Sequence, residues 1–242
     1  MREQILYYAV KYDGDYKKIG RAIQQQETWE HIAYKGCYTT IVDADYPSRF
    51  RMLEYAPWIV FYEGELSLCE KDSCGIVGSR MVSEKGRCDC IHITNIVKQR
   101  YVIVSGLAKG IDGIAHHSSL DKETIGIIGC GLDICYPKEN TYLYQEMRTH
   151  HLILSEYPYG CKPYSFHFPW RNRLIAALSN CIVVVEARRR SGTLLTVNEA
   201  ITLNKEVYCV PHDFMKIEGE GCNLLISQGA NILVDDEDIY MI

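Results

Sequence analysis

Four apolar runs end alike, each in a turn of small residues where a helix would start. They are Ile76 to Arg80, Val102 to Gly106, Ile125 to Gly131, and Ile182 to Ala187, the last continuing to Ser191-Gly192-Thr193. Continuous runs of this kind fit strands buried on both faces of a parallel sheet. In open α/β sheets the ligand crevice lies at the carboxyl ends of the strands. A turn without bulky side chains there exposes backbone N–H groups at a helix N-terminus, which suits an anion. Arginines accompany two of these turns, so the pattern predicts a rim built to hold phosphate.

The order of elements predicts the rest. From Ser73 onward strands near 74–78, 101–105, 124–129, 152–156, 181–186, 206–210 and 231–234 alternate with helices near 82–98, 108–120, 140–149, 169–179, 193–203 and 220–228. That alternation gives an α/β fold, a mostly parallel, doubly wound sheet with right-handed crossovers. Residues 1 to about 35 read as short helices, from Ile5, Leu6, Ala9 and Val10 and then Ile19, Ala22 and Ile23. This piece is too small for its own core and is expected to pack on the main body. Residues 36 to about 68 read as a connecting region with a strand from Pro57 to Tyr62. Asp235-Asp236-Glu237-Asp238 reads as a solvated acidic end.

Charge and cysteine content bound the function. The 242 residues carry a formal net charge of −5, so a nucleic-acid role must rest on a local patch. The eleven cysteines show no recurring C-x-x-C spacing, which argues against metal and for reduced thiols in a cytosol. No secretory signal or membrane-length apolar run is seen.

Several stretches combine chemistry with the rim. In Gly78-Ser79-Arg80 the glycine permits close backbone approach, the serine offers a hydroxyl and the arginine a planar fork of donors. Ser105 to His116 places Gly106, Lys109 and Gly110 at a helix start. Asp112 and His116, spaced i, i+4, share a helix face and read as a surface pair ordering the loop. Phe168-Pro169-Trp170-Arg171-Asn172-Arg173 opens a helix with two arginines, unfavourable at a positive helix end unless an anion compensates them. Arg188-Arg189-Arg190 precede Ser191-Gly192-Thr193 on the same rim. No Walker lysine motif, G-x-S-x-G elbow or H-E-x-x-H is present.

Taken in order, these stretches resemble the DNA-processing protein A family, also called Smf. The matching residues run through Tyr46-Pro47, Pro57 to Gly64, Gly78-Ser79-Arg80, Ser105 to His116, Gly129-Cys130-Gly131-Leu132-Asp133 with Tyr136-Pro137 and Asn140, Ser155-Glu156, Phe168 to Arg173, Glu186-Ala187, Ser191-Gly192-Thr193 with Thr196, and Gly229-Ala230. The resemblance implies an extended Rossmann-like domain over 36–242, following a helical segment over 1–35, that binds single-stranded DNA in a positively charged pocket. It implies a non-enzymatic, cytoplasmic protein without a cofactor. Members protect incoming strands and help load the RecA recombinase in natural transformation and recombination, commonly as homodimers. By the same resemblance Gly78, Ser79 and Arg80 form a first phosphate loop, and Ser105, Gly106 and Lys109 line a second. Arg171 and Arg173 meet backbone phosphates, Asn172 places a nucleotide, and Ser191, Gly192 and Thr193 complete the rim. Phe168 or Trp170 offers a ring for base stacking. Departures are the short helical segment, Pro211-His212 in place of a proline–glycine pair, and a sheet that ends the chain, so no C-terminal winged helix is expected.

Two other readings stand beside this one. A small-nucleotide binder or hydrolase is favoured by the likeness of Ser191-Gly192-Thr193 to a phosphoribohydrolase turn. It is weakened because Leu194, Leu195 and Thr196 stand where glutamates belong and Glu199 is rotated off that helix face. An interaction scaffold that kept the fold but lost the pocket is the third.

Overall fold

The computed structural model describes residues 1–242. Its strands are β1 (Cys37–Thr40), β2 (Ile59–Gly64), β3 (Ser73–Val77), β4 (Val102–Ser105), β5 (Thr124–Ile128), β6 (Leu152–Ser155), β7 (Cys181–Val184), β8 (Glu206–Cys209) and β9 (Asn231–Ile232). The helices are α1 (Arg2–Lys11), α2 (Tyr16–Gln24), α3 (Glu84–Val97), α4 (Ile111–Ser118), α5 (Thr141–His150), α6 (His167–Leu178), α7 (Thr193–Thr202), α8 (Glu220–Ser227) and α9 (Asp236–Tyr240).

One sheet holds all the strands, in the order β1-β2-β6-β5-β4-β3-β7-β8-β9. It is parallel from β6 across to β9 and antiparallel where β2 meets β1 and β6. The chain winds outward from β3 through β4, β5 and β6, then returns to β3 and winds the other way through β7, β8 and β9. This is the mostly parallel, doubly wound, Rossmann-like sheet that the alternation of elements predicts. Strand order reverses between β3 and β7, which is where such folds open a crevice.

The apolar runs form central strands because successive side chains serve opposite layers. Val102 and Val104 join Val77, Ile125, Ile127, Ile182 and Val184 beneath α6, α7 and α8. Ile103 points the other way, with Cys74, Ile76 and Val183, beneath α3, α4 and α9. Beyond β5 that second face is covered by α1, α2 and α5. There Ile5, Leu6, Tyr8, Ile19, Tyr144 and Met147 close on Ile59, Phe61, Ile128 and Ile153.

One expectation needs correction, and another gains detail. The region read as a connector supplies β1 as well as β2, paired antiparallel from Cys37 against Tyr62 to Thr40 against Ile59. Four residues with polar Thr39 and Thr40 buried carry no alternating apolar signal. The acidic end is solvated as read, with Asp235, Asp236 and Glu237 exposed, and it is also ordered. Asp235 accepts from the backbone N–H groups of Glu237 and Asp238, and Asp238 reaches back to that of Asp235, a reciprocal capping box that starts α9. Carboxylates are favoured at a helix N-terminus, and Ile239 anchors the turn in the layer with α3.

The packing of α1 generates a stability test. Ile5 is 1% exposed, so Ile5→Ala is expected to cost about 2–5 kcal/mol. The loss should appear as a lower midpoint of a single urea transition followed by tryptophan fluorescence. A separate early transition with an unchanged main one would show instead that α1 and α2 unfold independently.

Candidate nucleic-acid interface

The crevice at the switch between β3 and β7 is built around one tight turn, residues 78–81. A Cβ at Gly78 would fall 2.5 Å from Cγ1 of Ile111 and 2.8 Å from the carbonyl oxygen of Glu186, so no side chain fits there. The turn is tied to three other segments. Ser79 N–H donates to Glu186 O at 2.7 Å, Ile111 N–H donates to Ser79 O at 3.1 Å, and Thr193 Oγ1 donates to Gly78 O at 3.1 Å. Ser79 Oγ donates to Met81 O at 2.7 Å, holding the turn closed. Asn172 reaches across from α6, its Nδ2 donating to Gly192 O at 3.2 Å. Buried Glu186 accepts from Ser83 N–H at 3.1 Å and from the Ser83 hydroxyl, so its charge sits at the N-terminus of α3.

These segments enclose a cavity of about 520 Å³. Its lining includes Arg80, Arg171, Arg188 and Arg190 against one carboxylate, that of Asp112. Arg80, Arg188 and Arg190 are exposed and take no part in the ion pairs that hold other arginines. The Arg80 guanidinium lies over the Phe168 ring, 5.4 Å from its centroid, and Tyr136 flanks that ring at 5.6 Å. Ser191 Oγ, also on the lining, is buried without a hydrogen-bond partner. Gly192 faces open space, with nothing within 4 Å of where its Cβ would be. Close approach of a ligand backbone at that point meets no side chain.

Arg171 forms the floor. It is 3% exposed, and its Nη1 donates to Ile127 O at 2.6 Å. A Cβ on Gly106 would lie 1.8 Å from that same nitrogen, so the glycine is what leaves room for the guanidinium. Nε has no partner. Burial lowers the Arg171 pKa, and the nearby Asp112 raises it again. The Asp112 carboxyl is in turn raised by burial and held down by Arg171 and Arg80. A second, smaller lobe of about 60 Å³ opens beyond Phe168, bounded by Gly106, Lys109 and again Arg80 and Arg171. Lys109 is exposed there and ion-paired with Glu139.

Gly78, Ser79, Arg80, Phe168, Arg171, Asn172, Ser191, Gly192 and Thr193 therefore gather at one cavity, with Gly106 and Lys109 at its side lobe. Arg173 does not join them. Two residues on from Arg171, it is rotated by about 200° around α6. Its Nη2 donates to Glu156 Oε1 at 2.6 Å in a pair that is 5% and 6% exposed, and its guanidinium stacks on Trp170 at 4.3 Å. Ser105 is also withdrawn, its Oγ donating to Ile76 O at 2.6 Å in full burial. Trp170 packs near Tyr16 and Tyr55, each at 5.7 Å, away from the crevice.

Asp112 and His116 do not form the surface pair expected of them. Asp112 turns to the crevice, whereas His116 is buried with Nδ1 2.7 Å from Thr124 Oγ1. Burial lowers the His116 pKa to about 3, which keeps the ring neutral. Arg188 and Arg190 were absent from the residues singled out for binding, although their place just before Ser191-Gly192-Thr193 was the available signal. No cluster of three His, Cys, Asp or Glu side chains is arranged to hold a metal, and no helix is long and apolar enough to cross a membrane.

Comparison with known proteins bears on this geometry. The model of the family described as DNA recombination-mediator protein A matches residues 37–242. The DNA processing protein DprA of Streptococcus pneumoniae is 39% identical over 202 residues, 83% of this chain and 72% of the relative. The X-ray structure of DprA from that organism aligns with a TM-score of 0.83 at 33% identity, covering 100% of this chain and 93% of that one. DNA processing protein A from Helicobacter pylori, whose structure is described as giving insight into a unique single-stranded DNA binding mode, aligns with a TM-score of 0.78 at 30% identity, over 86% and 96% of the two chains. With the family match spanning all of the sheet and every segment of the crevice, this chain belongs to the DNA recombination-mediator protein A family.

Proposed function

We propose that the crevice between β3 and β7 binds single-stranded DNA, with Arg80, Arg171, Arg188 and Arg190 meeting its phosphates. The observation that carries this reading is their shared cavity: three exposed arginines without carboxylate partners stand over a buried fourth whose Nε is unpaired. A guanidinium binds phosphate through a planar fork of donors. Gly192 leaves room for a backbone, and Ser191 Oγ offers a donor with no protein partner. Phe168, half-buried beside Arg80, offers a ring face to an unpaired base. That combination of a cationic track and a stacking ring favours a single strand over a duplex. The Helicobacter pylori relative, whose structure is described in terms of single-stranded DNA binding, supports the same class of ligand.

The likeness to relatives extends the proposal. The bound strand is protected and passed to the RecA recombinase in transformation and recombination, by two copies of the chain acting together in the cytoplasm. A nucleotide-hydrolysing reading has less support. Glu186 is occupied at the N-terminus of α3, Asp112 faces two arginines, and Glu199 lies outside the crevice lining. The role is accordingly read as binding without catalysis.

Arg80→Ala is expected to weaken oligo-dT binding by about tenfold and to reduce the slope of log affinity against log salt by about one. Fluorescence anisotropy at several salt concentrations measures both, and an unaltered affinity and slope would remove Arg80 from the interface. A second expectation concerns a residue with no side chain of its own. Gly106→Ala forces the Arg171 guanidinium from its seat, so affinity should fall at least as far as with Arg80→Ala while far-UV circular dichroism stays unchanged. Full affinity in a folded Gly106→Ala protein would show that the floor of the crevice contributes nothing.

A further inference from the structure

A second cavity, about 390 Å³, lies where the α1–α2 hairpin meets the segment leading into α6. Its walls are largely aromatic, with Tyr12 and Tyr16 from the hairpin and Tyr164, Phe166 and Trp170 from the other side. Phe166 and Tyr164 are 68% and 50% exposed, and their rings are nearly parallel at an interplanar angle of 6°. The hairpin precedes the part of the chain that the family model matches.

Two observations say what this cavity takes. The first is continuity with the crevice. In the stretch 163–170, Pro163, Ser165, Phe168 and Pro169 line the crevice, while Tyr164, Phe166, His167 and Trp170 line the aromatic cavity. One short ridge of chain thus has a phosphate-binding side and an aromatic side. The second is charge. Lys17 and Lys18 at the mouth are balanced by Asp13 and Asp15, and Asp15 is ion-paired with Lys18 at 3.5 Å. A neutral, ring-walled cavity does not attract phosphate, but it suits the flat face of a nucleobase.

Resting on the reading of the crevice as a single-strand site, we propose that a strand bound there crosses the 163–170 ridge and stacks a base in the aromatic cavity, with Phe166 and Tyr164 as the platform. The α1–α2 hairpin thereby forms one wall of an extended DNA site. Stacking is tolerant of base identity because every base has a π-face, so this subsite adds length dependence to binding and no sequence preference.

The test compares labelled dT4 and dT12 by fluorescence anisotropy, on the whole protein and on Phe166→Ala, Phe166→Tyr and Arg80→Ala. Phe166 is exposed, so its replacement leaves the core intact. The expected result is a loss of about tenfold for dT12 with Phe166→Ala, less than twofold change for dT4, and recovery for dT12 with Phe166→Tyr. Unchanged dT12 binding with Phe166→Ala, or an equal loss for dT4 and dT12, overturns the second subsite. Arg80→Ala reports separately on the crevice. If it weakens both oligonucleotides while Phe166→Ala weakens neither, the crevice reading stands and the extended site fails. If Arg80→Ala leaves both unaltered, the crevice reading itself falls.

Discussion

A guanidinium buried at the base of a crevice constrains everything packed around it. Arg171 is held by one carbonyl oxygen, that of Ile127, and is faced by one carboxylate, that of Asp112. Removing a cation from water is costly unless its donors are matched. Here the match is incomplete, since Nε lacks a partner. The surrounding chain is shaped to accept this cost. Gly106 has no side chain, so the guanidinium lies against the backbone, and the Ile127 carbonyl of β5 accepts from it. On the proposed reading, a polyanion entering the crevice would supply what the protein withholds. The cation then acts where the dielectric is low, and its interaction with phosphate is stronger than that of an arginine on an open surface.

Rigidity follows from the turn above it. Gly78 passes between Ile111 and the Glu186 backbone, and Ser79 joins that backbone to the start of α4. The turn, the start of α4 and the stretch from Glu186 to Thr193 meet through hydrogen bonds to residues 78 and 79, so the rim is formed before any ligand arrives. A preformed site loses less conformational entropy on binding than one assembled from mobile loops. The same hydrogen bonds explain why several small polar residues near the crevice are structural. The hydroxyls of Ser79 and Thr193 close turns, and that of Ser105 is sealed beneath β3. Only Ser191, among the serines and threonines of the motif, keeps a buried hydroxyl without a partner on the lining.

The fold was legible in the sequence because strand after strand combined an apolar run with a small-residue turn, a pattern set by local physics. The edge strand β1 was not, because its buried members are Thr39 and Thr40. The capping box at Asp235 was hidden in an acidic run whose bland meaning is solvation. At the site, motif order found the right turns but not the direction of each side chain. Arg171 and Arg173 look equivalent on paper, yet positions i and i+2 of a helix point to nearly opposite sides. One faces the crevice, and the other is buried against Glu156 and Trp170. Helical spacing could have separated them. By contrast, the roles of Arg188 and Arg190 depend on an irregular loop, and no periodicity predicts where its side chains go.

A protein of net charge −5 can still present a cationic site, because charge acts locally. The Debye length is about 8 Å at physiological salt, so acidic groups across the molecule are screened from a strand in the crevice. Many basic side chains elsewhere are also matched, as in Arg148 with Glu63, Lys98 with Asp121 and Lys85 with Asp89. The arginines at the switch point are set apart by sharing one cavity lined by a single carboxylate, that of Asp112. On the proposed reading, what matters for a phosphate backbone is the four guanidinium groups gathered at the crevice, whatever the net charge of the chain. The proposed site is the place where the turns, the open Gly192 backbone and the Phe168 ring would also hold a strand in register.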